Sequence, residues 1–137
     1  MSEAAHPIPV RTGEKSIDSE HDVQLQLLDS LSDTLKKSDG IAAANYILEQ
    51  FIEFSDLHFL SEQLVMRLHS YPGYEPHLED HTRLMKKVRE IRGKVQQGEE
   101  KIGVRLIHEL RIWLLTHISS EDVAFGEFLR TREGKTA

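Results

Sequence analysis

The sequence predicts an all-α protein, an antiparallel up-down-up-down four-helix bundle with an extended N-terminal arm. Three observations carry this: four long segments repeat apolar residues at helical spacing, no segment shows the strict alternation of a half-buried strand, and the connections are short. Short connections between long amphipathic helices place consecutive helices antiparallel.

In chain order, residues 1–16 hold Pro7, Pro9 and Gly13 and no apolar run, so they are expected to form an arm, with neither a signal peptide nor a membrane span. The bundle is expected over residues 17–130, with a short tail at 131–137. Ile17, His21, Gln24, Leu28, Leu31 and Leu35 keep one helical stripe to about residue 37, where Ser38-Asp39-Gly40 supplies a stop. A second helix, from about 41 to 69, carries Ile47, Phe51, Phe54, His58, Glu62 and Val65 and ends before Tyr71-Pro72-Gly73. The third starts near Pro76, carries His77, His81, Leu84, Val88, Ile91 and Val95, and fades at Gln97-Gly98. The fourth, from about 100 to 119, carries Ile102, Leu106, Leu110, Trp113, Leu114 and His117.

Composition narrows the function. The 137 residues make one domain, long enough to bury roughly two-thirds of its unfolded surface without a staple. The absence of cysteine excludes disulfides, zinc ribbons and iron–sulfur clusters, and any metal must be held by nitrogen and oxygen. The net charge of -6 comes from interspersed acids and bases, which leaves no basic stripe for nucleic acid. The expectation is a cytoplasmic protein without a nucleic-acid or membrane partner.

The chemistry lies in ionisable residues on stripes that should face a core. His58 and Glu62, and again His77 and His81, are spaced to stand one turn apart on one helix face, so each pair can chelate. One such pair arises by chance in roughly a third of chains with this many histidines, and a lone histidine on an apolar face is usually a satisfied core residue. Two pairs, with His21 and His117 on two further stripes, are less ordinary, and buried ionisable groups need a partner such as a bound cation. In an antiparallel bundle all these residues fall toward one end. Asp122 follows His117 by about 140° of ideal helix and joins them only if the helix loosens near Ser119-Ser120. Five histidines and two carboxylates exceed the needs of one ion and suit two octahedral ions bridged by the carboxylates. Imidazole suits iron, copper, nickel or zinc, and bridging carboxylates favour iron. His6, His69 and His108 fall outside the set.

The strings from Ile17 to His21, His58 to Glu62, Tyr71-Pro72-Gly73 through His77 to His81, Trp113 to Ile118, and Asp122 resemble the hemerythrin family in its bacterial single-domain form. The resemblance spans about residues 13–129 and fills all seven ligand positions of the family motif. It implies two iron ions per chain, non-haem, with carboxylate and oxo/hydroxo bridges. His77, His81 and His117 would saturate one iron, His21 and His58 would hold the other with one open position, and Glu62 and Asp122 would bridge. The implied activity is reversible dioxygen binding for delivery, storage or sensing, without catalysis. The implied oxygen pocket holds Phe59, Trp113, Leu114 and Ile118, with Gln24 where the family has an aliphatic residue. Glu20 replaces a usual glutamine and would raise electron density at its iron if it touched His21. The tryptophan usual in the arm is absent. The polar Gln24 motivates an alternative, a diiron enzyme or redox protein that reacts with peroxide or nitric oxide.

Overall fold

The computed structural model describes residues 11–37 and 40–132. Residues 1–10 of the expected arm, most of the expected tail and the side chain of Ile102 lie outside the described residues. The helices are α1 (Lys15–Leu35), α2 (Ile41–Leu68), α3 (Tyr74–Gln96) and α4 (Glu100–His117), then a π-helical turn at Ile118–Asp122 and a short α5 (Val123–Arg132). Each long helix packs on its chain neighbours, and α1 packs on α4, which closes an antiparallel four-helix bundle. No strand occurs among the described residues, and no helix there is long and apolar enough to cross a membrane.

Two of the connections are set by helix-ending chemistry. At the end of α2, Ser70 adopts φ 52°, the Tyr71 N–H donates to the Met66 carbonyl at 2.9 Å and the Ser70 N–H to Arg67 at 3.2 Å. This is the Schellman closure, with serine in the left-handed place that glycine usually takes, and Tyr71 packs back on Met66. Gly98, at φ 80°, closes α3 in the same way, with Glu99 N–H on the Lys94 carbonyl at 3.0 Å. The turn from α2 to α3 brings Glu62 and His77 to the same end of the bundle.

The helix starting at Lys15 takes two residues from the expected arm, because Asp18 anchors what precedes it. Its carboxylate accepts from the Thr12 N–H and hydroxyl, each at 2.9 Å, and from the Gly13 N–H at 3.3 Å. Thr12 is buried on Gly126 of α5, where a Cβ would collide with the Thr12 carbonyl oxygen, and Arg130 donates to that same oxygen.

The bundle divides lengthwise. Away from the site, Leu28, Leu31, Leu48, Phe51, Val88, Ile91 and Val95 are fully buried in one apolar cluster. Burying one such side chain stabilises by about 1.5–3 kcal/mol before entropy is charged against it. The inward line of α2 is rotated from the expected one. Leu48, Ser55 and Met66 are buried, whereas Ile47, Phe54 and Val65 sit on the flank. The aromatic Phe54 and branched neighbours drew the expectation toward hydrophobicity, while the helix faces inward through Ala44, Leu48, Phe51, Ser55 and His58.

Candidate metal centre

At the other end the core turns ionisable. His21, His58, Glu62, His77, His81, His117 and Asp122 are all buried. The bundle brings the whole expected set together, from four helices and the π turn. His21 and His58 lie at one level of the bundle, their rings meeting edge to face with centroids 5.2 Å apart.

The π turn brings in Asp122. An α-helical continuation would swing it about 140° from His117, whereas the wider turn returns the fifth residue close to the starting face. Asp122 Oδ1 consequently lies 3.3 Å from His117 Nε2 and 2.8 Å from His77 Nε2, and Oδ2 lies 2.9 Å from His21 Nε2. Glu62 Oε1 lies 3.3 Å from His77 Nε2 and 3.2 Å from His81 Nε2.

These close approaches are not aligned as hydrogen bonds. Nε2 of His21, His58, His77, His81 and His117, and both oxygens of Glu62 and of Asp122, are buried without a hydrogen-bond partner. Orphaned buried polar atoms are costly, and here all of them converge. The donors fall into two groups whose ligand atoms lie within 4.8 Å of one another: Glu62, His77, His81, His117 and Asp122, and His21, His58, Glu62 and Asp122. Both carboxylates belong to both groups. Nitrogen and oxygen donors so arranged fit cations of the harder transition-metal kind.

Outside this ring of donors, the far nitrogens of three histidines are held. His58 Nδ1 donates to Glu20 Oε1 at 2.5 Å, His117 Nδ1 to Asp80 Oδ2 at 3.4 Å, and the Gln63 amide lies 2.9 Å from His81 Nδ1. Glu20 therefore bears on His58, a contact the sequence reading did not weigh. Asp80 and Gln63 escaped sequence reasoning, their one signal being adjacency to His81 and Glu62 in the chain.

Electrostatics follows from the two carboxylates. Burial and the Glu62–Asp122 repulsion raise Glu62, but the imidazoles of His77 and His81 offset both and leave it below the usual value. Burial likewise raises Asp122, and His117, His21 and His77 outweigh it, holding the group well below the ordinary carboxylate range. Burial lowers His77, yet Asp122 and Glu62 overcome this and lift it to about 9. His117 is raised against burial by Asp122, while for His81 burial prevails and lowers it.

The residues expected around an oxygen pocket have these positions. Phe59 stacks on His81 with centroids 3.9 Å apart, Trp113 stacks on His117 at 5.3 Å, and Leu114 and Ile118 are fully buried in the apolar cluster. Gln24 is fully buried one turn from His21, and its Nε2 donates to the Ser55 hydroxyl at 3.0 Å while its Oε1 has no partner. Ser55 was missed, although it stands one turn before His58 on the same face. A cleft of about 190 Å³ reaches His58 and Glu62 from the surface between α1, α2 and α5. His69 is at its rim and His108 is exposed on α4, both outside the donor groups.

Residues 12–129 match the family model of the hemerythrin HHE cation-binding domain. The chain belongs to the hemerythrin family. It is 28% identical over 131 residues to a bacteriohemerythrin of Ralstonia nicotianae, covering 96% of this chain and 88% of that one. A bacteriohemerythrin of Aquifex aeolicus is 28% identical over 114 residues, covering 82% and 86%. A crystal structure of wild-type hemerythrin superposes with a TM-score of 0.77 over 92% of this chain and 95% of that one, at 23% identity, and shares the fold. These relatives support a bacterial hemerythrin. Hemerythrin membership implies non-haem iron binding and, in general, a diiron oxygen-binding protein. The converging donors can hold metal.

Proposed function

We propose that this hemerythrin binds dioxygen reversibly at two non-haem irons, in oxygen delivery, storage or sensing. The observation that carries the reading is the sharing of both Glu62 and Asp122 by the two donor groups. In this reading His77, His81 and His117 would hold one iron, His21 and His58 would hold the other, and Glu62 and Asp122 would serve both. The irons supply the electrons for taking up dioxygen. The chain's own residues do the rest. Two buried carboxylates partly balance the cations and fix their spacing. With each Nε2 committed to metal, Nδ1 carries the proton, so Glu20 and Asp80 accept from His58 and His117 and the Gln63 amide turns its oxygen to His81. Phe59, Trp113, Leu114 and Ile118 exclude water around the site.

Metal analysis and absorption spectra in air and after anaerobic reduction test this directly. Two irons per chain and a reversible dioxygen-dependent colour are expected, unchanged in His108→Ala. One iron or none in fully loaded protein would sink the proposal. A second reading, a diiron enzyme or redox protein reacting with peroxide or nitric oxide, draws on the buried Gln24–Ser55 pair, and catalytic turnover in place of stable colour would favour it.

The raised His77 gives a prediction about pH. In the metal-free protein a histidine lifted from 6.5 to about 9 contributes stability that is complete below pH 6.5 and is lost as pH rises through about 9. The lowered carboxylates act oppositely, losing their contribution only as pH falls through their folded values. Metal takes the same Nε2 and must displace that proton, so loading is favoured by rising pH. The gap between melting temperatures of loaded and stripped protein should widen from pH 6.5 to 9. Parallel thermal melts check this, and a gap that narrows with pH would show that metal does not compete for His77.

A further inference from the structure

The outer face of α2 is apolar where a bundle helix is usually polar. Leu57, Leu60, Leu64 and Leu68 are 68%, 53%, 51% and 81% exposed, and Tyr46 on the same line is 67% exposed. At about 100° per residue this stripe lies opposite the buried line through Leu48, Phe51, Ser55 and His58. α2 therefore has two apolar faces, and one of them has no partner among the described residues. An exposed contiguous apolar stripe marks an interaction surface.

We propose that this stripe is the interface of a homodimer in which two α2 helices pack antiparallel. The spacing Glu53, Leu57, Leu60, Leu64, Arg67 alternates four and three residues, the seam that lets side chains of facing helices interdigitate. A two-fold axis between Leu60 and Ser61 sets Leu57 of one copy against Leu64 of the other. It also brings Glu53 of each copy beside Arg67 of the other. Among the described residues, Glu53 and Arg67 make no ion pair within the chain, whereas the neighbouring Asp56 is paired with Arg89. A parallel pairing would face Glu53 with Glu53 and Arg67 with Arg67, so charge selects the antiparallel arrangement, and its symmetry closes the assembly at two copies. A partner of another sequence would need to supply this same pattern of charges around an apolar ridge, which a second copy does by symmetry.

Light scattering over a range of protein concentrations is the first test. The mass should climb from 15.7 kDa toward twice that value, and Leu60→Glu should hold it at the monomer. Glu53→Arg should weaken the dimer, and Glu53→Arg with Arg67→Glu should restore it. Because the chain has no cysteine, single substitutions also map the axis. Leu60→Cys should cross-link to its own copy under mild oxidation, and Leu68→Cys should not. A monomer at every concentration would mean that something else covers the stripe and would overturn the proposal. So would a dimer indifferent to Leu60→Glu, or cross-linking of Leu68→Cys as readily as of Leu60→Cys.

Discussion

Asp122→Ala should strip the hemerythrin of iron and lower its melting temperature by roughly 10 °C or more when wild type and variant are compared in iron-loaded conditions. Asp122 is the residue that the donor groups can least lose, since its two oxygens face His21, His77 and His117. Removing one member of a buried charged cluster costs about 3–5 kcal/mol, because the remaining charges keep their desolvation penalty and lose their compensation. Glu62→Ala should behave alike, with a smaller effect on the His21 side. The control is the stripped protein. Iron content by elemental analysis and melts with and without metal separate loss of the centre from damage to the bundle. An Asp122→Ala protein that retained its full iron complement would remove the bridging role.

Gln24→Leu should lengthen the life of the dioxygen-dependent absorbance about five- to tenfold, with iron content unchanged. The buried amide spends one N–H on Ser55 and leaves its oxygen without a partner, so the pair can recruit a water into surroundings otherwise apolar. Water and its protons shorten the life of the oxygenated state. A hydrogen bond of about 1 kcal/mol, removed from the path that discharges it, corresponds to a rate change of that size. Leucine removes the orphaned carbonyl, and the Ser55 hydroxyl can turn to its own helix backbone, so the variant should be slightly more stable to heat as well. Decay of the spectrum in air, at one pH, decides. An equal or shorter life in the variant would mean that Gln24 protects the adduct or faces elsewhere, and the peroxide- or nitric oxide-reactive reading would lose its main support.

The helices were legible because the stripes of α1 and α3 are nearly pure, and His77 through Val95 are buried to the last member. Most of the candidate site was legible because five histidines and Glu62 fall on apolar stripes. Two kinds of feature were not. In α2 both faces are apolar, so periodicity alone could not say which was inward, and Ser55, polar and one turn before His58, went unnoticed. The outer partners Asp80, Gln63 and the His58 contact of Glu20 depend on side-chain reach between helices, which spacing along one helix does not encode. The loosened helix at Ser119-Ser120 could be inferred only by demanding that Asp122 join His117. The π turn at Ile118–Asp122 lets His117 and Asp122, five residues apart, both reach the buried donor cluster.

The lengthwise division of the bundle bears on how the protein matures. Its apolar end gathers buried leucines, valines and isoleucines from all four long helices and owes nothing to the metal. A zinc finger must wait for its ion before it can fold, because the ion is most of its core. This chain has a core of its own, and Asp122 and Glu62 raise His77 to about 9, so metal arriving at its Nε2 would displace a proton. A metal-free chain that this core keeps folded would uncouple synthesis from iron supply, and loading would then be an exchange of protons for metal. The metal-free melts of the pH experiment measure how secure that waiting form is.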